Sequence, residues 1–169
     1  GRLDEAEASY KQAIAIKPDY ANSHSNLGIT LQELGRLDEA EASYKQAIAI
    51  KPDYANSHSN LGITLQELGR LDEAEASYKQ AIAIKPDYAD AHSNLGNTLQ
   101  ELGRLDEAEA SYKQAVAIKP NYPEAYSNLG ITLKELGRLD EAEASYKQAI
   151  AIKPNYAEAH SNLGISLHE

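Results

Sequence analysis

The chain has 169 residues in which 16 Lys and Arg stand against 26 Asp and Glu, so its net charge of -10 repels a phosphate backbone and argues against nucleic acid as a partner. It contains no Cys, Met, Trp or Phe, which excludes disulfides, thiolate metal sites and a thiol nucleophile. Apolar runs extend no further than Ala13 to Ile16, far below the ~20 residues that cross a bilayer; without a leader-like opening, the expectation is a soluble, cytoplasmic chain with no membrane partner.

The sequence repeats every 34 residues. Residues 1–20 supply the second half of a repeat, so that Gly1 lies inside the pattern and the chain reads as a fragment or an engineered protein. Four whole repeats follow at 21–54, 55–88, 89–122 and 123–156, and residues 157–169 supply the first half of another. The first two whole repeats are identical at all 34 positions. The third differs from them at Asp90, Ala91, Asn97, Val116 and Asn121, and the fourth at Pro123, Glu124, Ala125, Tyr126, Lys134 and Asn155.

Each repeat predicts two helices. In the first, Leu27, Leu31 and Leu34 fall at i, i+4 and i+7, one buried helical stripe, and Gly35 follows where a left-handed terminal residue is wanted. In the second, Asp38 precedes Glu41 by three residues, the spacing of a capping box, and Ala40, Tyr44, Ala47 and Ile48 continue at helical spacing until Pro52. Glu41 and Lys45 predict an i, i+4 ion pair on a solvated face. The same capping spacing makes Asp90, Glu124 and Glu158 partners of Asp87, Asn121 and Asn155. The apolar side chains of one repeat fall short of the entropy of ordering it, so neighbours must stack into a shared core. The expected fold is therefore all-α, an α-solenoid of antiparallel helix pairs with ten helices.

The spacing His24, Leu27, Gly28, Leu31, Ala40, Tyr44, Pro52 in a 34-residue period resembles the tetratricopeptide repeat (TPR) over the whole chain. His stands for the usual Trp, Leu for Tyr and Tyr for Phe. The resemblance implies a right-handed superhelix in which Gly28 and Ala40 allow the two helices of a repeat to approach closely, and Ala47 does the same toward the next repeat. The runs His-Ser-Asn-Leu-Gly and Ala-Ile-Ala-Ile-Lys-Pro further resemble the TPR domain of O-linked N-acetylglucosamine transferases. That likeness implies an asparagine ladder for the backbone of an extended substrate, at Asn26, Asn60, Asn94, Asn128 and Asn162. The catalytic half of such enzymes is absent from the sequence.

On a helical wheel Asn22, Asn26, Ile29 and Glu33 share a stripe opposite the leucines. The resemblance implies that this stripe lines the concave groove. The candidate peptide-binding residues are thus the five asparagines, Ile29, Ile63, Asn97 and Ile131, and Glu33, Glu67, Glu101 and Glu135, which make the groove anionic. A carboxamide offers a donor and an acceptor side by side, matching a peptide unit. With helices packed ~10 Å apart and an extended chain advancing ~3.3 Å per residue, one Asn meets about every third residue. Equally, the asparagines could be solvated or bond a neighbouring repeat to hold the stack in register.

Four histidines, His24, His58, His92 and His160, recur in one register, ~10 Å apart, too far to share a zinc ion, and read as packing residues. Ser23, His24 and Ser25 lack the unique constellation of carboxylate and oxyanion donors that nucleophilic catalysis needs. No enzyme, cofactor or metal is expected. A carboxylate clamp of the family's chaperone-tail type would need Lys where Ser25, Ser59, Ser93 and Ser127 stand, which argues against an acidic tail as ligand. The sequence therefore points to a non-enzymatic scaffold for an extended, neutral or basic polypeptide. Two alternatives are the substrate-recruiting arm of a larger glycosyltransferase and a ligand-free structural module. The latter would associate head to tail through Leu163 and Leu167 of one molecule and Leu3, Tyr10 and Ile14 of the next, an open contact giving filaments.

Overall fold

A computed structural model of the chain describes residues 1–168. Among them lie ten helices and no strand, so the fold class is all-α. Contacts divide the chain into two compact units, Gly1–Pro86 and a second that begins at Asp87. The first holds α1 (Arg2–Ile16), α2 (Ala21–Glu33), α3 (Leu37–Ile50), α4 (Ala55–Glu67) and α5 (Leu71–Ile84). The second holds α6 (Ala89–Glu101), α7 (Leu105–Ile118), α8 (Pro123–Glu135), α9 (Leu139–Ile152) and α10 (Ala157–Ser166). In each unit every helix packs on the next along the chain.

The turn from α2 to α3 closes as the sequence predicts. Gly35 takes φ 73°, its amide donates to the Gln32 carbonyl at 2.9 Å, and the Arg36 amide donates to the Leu31 carbonyl at 2.9 Å. This double closure needs a left-handed residue that only glycine adopts without strain. Two helical turns earlier the reason for a second glycine is contact: a Cβ on Gly28 would stand 2.6 Å from a ring carbon of Tyr44. Tyr44, Ala40 and Ala47 are wholly buried, so the ring cannot retreat.

The capping boxes expected from the sequence are not formed. Helix α3 starts at Leu37 with Arg36 as N-cap and without a side-chain cap bond, because the closure of α2 delivers the chain into the next helix two residues early. Asp38 therefore lies in the first turn, where its charge complements the helix dipole. Arg36 grips Glu39 with Nε and Nη2 at 2.7 and 2.6 Å. Likewise α6, α8 and α10 begin after Tyr88, Tyr122 and Tyr156, one residue beyond the caps expected. Asp90 and Glu124 instead meet Lys119 and Lys153, each at 3.6 Å, and Glu158 accepts from the Tyr156 hydroxyl at 3.3 Å.

The Glu41–Lys45 pair forms at 2.6 Å, but Glu41 is buried, not solvated. Its second oxygen accepts from Arg70 Nη1 of the following repeat at 2.7 Å. The same bridge joins Arg36 to Glu7 at 2.8 Å and, in the second unit, Arg138 to Glu109 at 2.6 Å. Lys45 and then, against burial, Arg70 hold the Glu41 carboxyl below its ordinary range. Serine also joins repeats: Ser57 Oγ donates to Ser25 Oγ at 3.0 Å in a buried contact.

Candidate functional site

The helix face opposite the buried leucines carries the candidate residues. On α2, Leu27 and Leu31 are buried while Asn26 is half-buried and Ile29 and Glu33 are exposed. The 3.6-residue period turns these two sets to opposite sides. In the same register, Asn60, Asn94, Asn128 and Asn162 are half-buried, as are Ile63, Asn97 and Ile131, and Glu67, Glu101 and Glu135 are exposed.

Between α2, α3 and α4 this face opens into a cavity of about 420 Å³ lined by Ile29, Gln32, Glu33, Tyr44, Asn60 and Glu67. Gln32 is its hub. Its Oε1 accepts from the Tyr44 hydroxyl at 3.2 Å and from Thr64 at 3.4 Å, and its Nε2 donates to Glu67 Oε1 at 2.8 Å. These partners set the amide's orientation, with oxygen toward hydroxyls and nitrogen toward carboxylate. Burial first, then the Glu67 and Glu33 charges, push the Tyr44 hydroxyl up from its ordinary value. Both carboxylates therefore project their field onto one oxygen of the cavity. Gln32 was not singled out in the sequence because its partner Glu67 lies 35 residues away.

In the second unit Gln100 makes the same three bonds, to Tyr112 at 3.2 Å, Thr132 at 3.3 Å and Glu135 at 3.2 Å. Asn97 adds to them. Its Oδ1 accepts from the Tyr112 hydroxyl at 2.7 Å and from Asn128 Nδ2 at 2.9 Å. One amide hydrogen of Asn128 thus joins adjacent repeats, as a register contact would. A second cavity, of about 280 Å³, lies between α8, α9 and α10 and is lined by Ile131, Lys134, Glu135, Tyr146 and Asn162. With Ile131 where Asn97 stands one repeat earlier, Asn162 Nδ2 is buried without a partner.

The remaining predicted residues lie elsewhere. The histidines tie down loops: Nε2 of His24, His58 and His160 lies 2.8, 2.9 and 2.9 Å from the carbonyls of Pro18, Pro52 and Pro154, and because a carbonyl only accepts, these rings are protonated on Nε2. Ser25, Ser59, Ser93 and Ser127 are buried, away from the exposed face. Leu3, Tyr10 and Ile14 are half-buried on α1; Leu163 is half-buried, while Leu167, just past α10, is 64% exposed. The end of the last half-repeat, Glu169, lies outside the described residues. Among the described residues, no helix is long and apolar enough to cross a membrane, and no three His, Cys, Asp or Glu converge to hold a metal ion.

A tetratricopeptide repeat model matches residues 19–87, 54–121 and 87–155, and a TPR repeat model matches 1–35. No curated protein matches the sequence. Among solved structures, MamA is similar at 27% identity over 92% of this chain and 91% of its own, with a TM-score of 0.84. TTC0263, a thermophilic TPR protein in Thermus thermophilus, is similar at 29% identity over 100% of this chain and 92% of its own, with a TM-score of 0.76. YrrB, a TPR protein with an unusual peptide-binding site, shares the fold at 24% identity over 94% of this chain and 82% of its own, with a TM-score of 0.81. None of these matches indicates an enzymatic family.

Proposed function

Because the chain belongs to the tetratricopeptide repeat family, a fold typical of protein–protein interaction scaffolds, we propose that it binds an extended polypeptide, neutral or basic, along the helix faces that carry Asn26, Asn60, Asn94, Asn128 and Asn162. The observation that carries this reading is the recurrence of one solvent-facing set, Asn then Ile then Glu, at Asn26, Ile29 and Glu33 and again at Asn60, Ile63 and Glu67, opposite the buried leucines. A carboxamide at regular intervals pairs with peptide units irrespective of side chain, and the exposed carboxylates add a preference for positive charge. The finer likeness to the substrate-recruiting arm of O-linked N-acetylglucosamine transferases belongs to this proposal, since it predicts the same ladder.

The test replaces Asn26, Asn60 and Asn94 together by Ala; Asn128 is left in place because it bonds Asn97. Fluorescence anisotropy with labelled unstructured peptides should show binding weakened at least tenfold, at ~0.5–1.5 kcal/mol per lost hydrogen bond. Helical circular dichroism should be unchanged. Binding as tight as the parent's would defeat the groove reading.

A further inference from the structure

The cavity between α2, α3 and α4 differs from a general anionic surface in the hydrogen-bonding sense of its lining. The buried Tyr44 hydroxyl directs its proton to Gln32 Oε1 at 3.2 Å, so it offers the cavity no donor. Thr64 shares its one hydroxyl proton between the Asn60 carbonyl at 3.1 Å and Gln32 Oε1 at 3.4 Å. One Gln32 amide hydrogen is held by Glu67 at 2.8 Å. What remains is weighted toward acceptors: the Glu33 carboxylate and the second oxygen of Glu67 stand against the amide hydrogens of Gln32 and Asn60. The apolar part of the lining is Ile29, 39% exposed, with the buried ring of Tyr44 beneath.

We propose that this cavity is a side-chain subsite for a single lysine or arginine of the bound polypeptide, the stem lying against Ile29 and the cationic head between Glu33 and Glu67. The proposal rests on the peptide-scaffold reading above and deepens it. A cation with three or five donors and no acceptor complements an acceptor-rich lining, and a long aliphatic stem covers apolar wall while its head stays near water. At about 420 Å³ the space falls at the lower end of ligand pockets, ~300–1,000 Å³, and admits a long side chain. The cavity between α8, α9 and α10 sharpens the assignment: Lys134 occupies the position of Gln32 and lines that cavity beside Glu135, so the chain itself supplies a cation there.

The probe is a labelled unstructured peptide of alanine and serine carrying one central residue, which is Lys, Arg, Gln or Glu. The parent should bind the Lys and Arg peptides about tenfold more tightly than the Gln peptide at low salt. In E33Q/E67Q that preference, read as the ratio of Lys-peptide to Gln-peptide affinity, should fall below about threefold. In D53N, which removes an equal kind of charge from an exposed loop residue outside the lining, the preference should stay intact. If all four peptides bind equally to the parent, or the lysine preference survives E33Q/E67Q, the subsite is refuted and the scaffold reading stands. If no peptide binds, both are refuted.

Discussion

The node joining α2, α3 and α4 and the node joining α6, α7 and α8 share a hub glutamine, a buried tyrosine, a threonine and a terminal glutamate, yet they present different chemistry. In the first, Ile29 leaves the Tyr44 hydroxyl bonded to Gln32 alone. In the second, Asn97 draws the Tyr112 hydroxyl to 2.7 Å and Asn128 to 2.9 Å. A single substitution on the exposed face rewires three side chains, while the glycine–tyrosine contact beneath it is unchanged. The repeat thus separates a frame under strict packing constraint from a face free to vary.

The largest effect is expected where the frame is attacked. Gly62→Ala and Gly130→Ala place a Cβ within 2.7 and 2.5 Å of Tyr78 and Tyr146. Overpacking costs ~1–3 kcal/mol, partly offset by the ~0.5–1 kcal/mol that Ala gains over Gly in a helix. Each variant should melt several degrees lower, by similar amounts in calorimetry, since ~1 kcal/mol corresponds to ~2–4 °C at this size. A large loss at one site only would show that the frames are not equivalent.

A smaller effect separates the nodes. Tyr112→Phe removes the 2.7 Å bond to Asn97 together with the 3.2 Å contact to Gln100 and leaves Asn97 with one of its two donors, so it should cost about 1–1.5 kcal/mol in urea unfolding. Tyr44→Phe removes only a 3.2 Å bond and should cost about 0.5–1 kcal/mol. Equal costs would mean that Asn97 adds nothing. Acid probes the bridges between repeats. Glu41 is held below its ordinary value of 4.5 by Lys45 and, against burial, by Arg70. Glu109 is held there by Lys113 and Arg138, although burial opposes them most strongly. Lowered carboxylates contribute stability above the unfolded value and lose it as pH falls through the folded one. The urea midpoint should therefore be flat between neutrality and pH ~5.5 and decline below 4.5. A midpoint that rises on acidification would contradict these bridges. The smallest effect concerns the varied face: Lys134→Gln should leave stability within ~0.5 kcal/mol, as surface changes do, and raise affinity for the lysine peptide about two- to threefold. No change would show that Lys134 does not influence that cavity.

Much of this was legible before any coordinates. The 34-residue period, the leucine stripe and the Gly35 stop are local regularities, and they determine the helices and which face each buries, because helical periodicity converts spacing directly into direction. The charged contacts were legible only in part. Glu41–Lys45 lies within one helix turn, but the bridge of Glu41 to Arg70 spans 29 residues, and no pattern within a repeat distinguishes a carboxylate between two cations from one in water. The capping boxes were misplaced because the closing bonds of one helix set where the next begins. The hub role of Gln32, the pairing of Asn97 with Tyr112 and Asn128, and the acceptor-weighted cavity were decided by tertiary structure alone. They depend on how far apart stacked helices settle, and that distance follows from the Gly28–Tyr44 contact between helices and not from any segment read by itself.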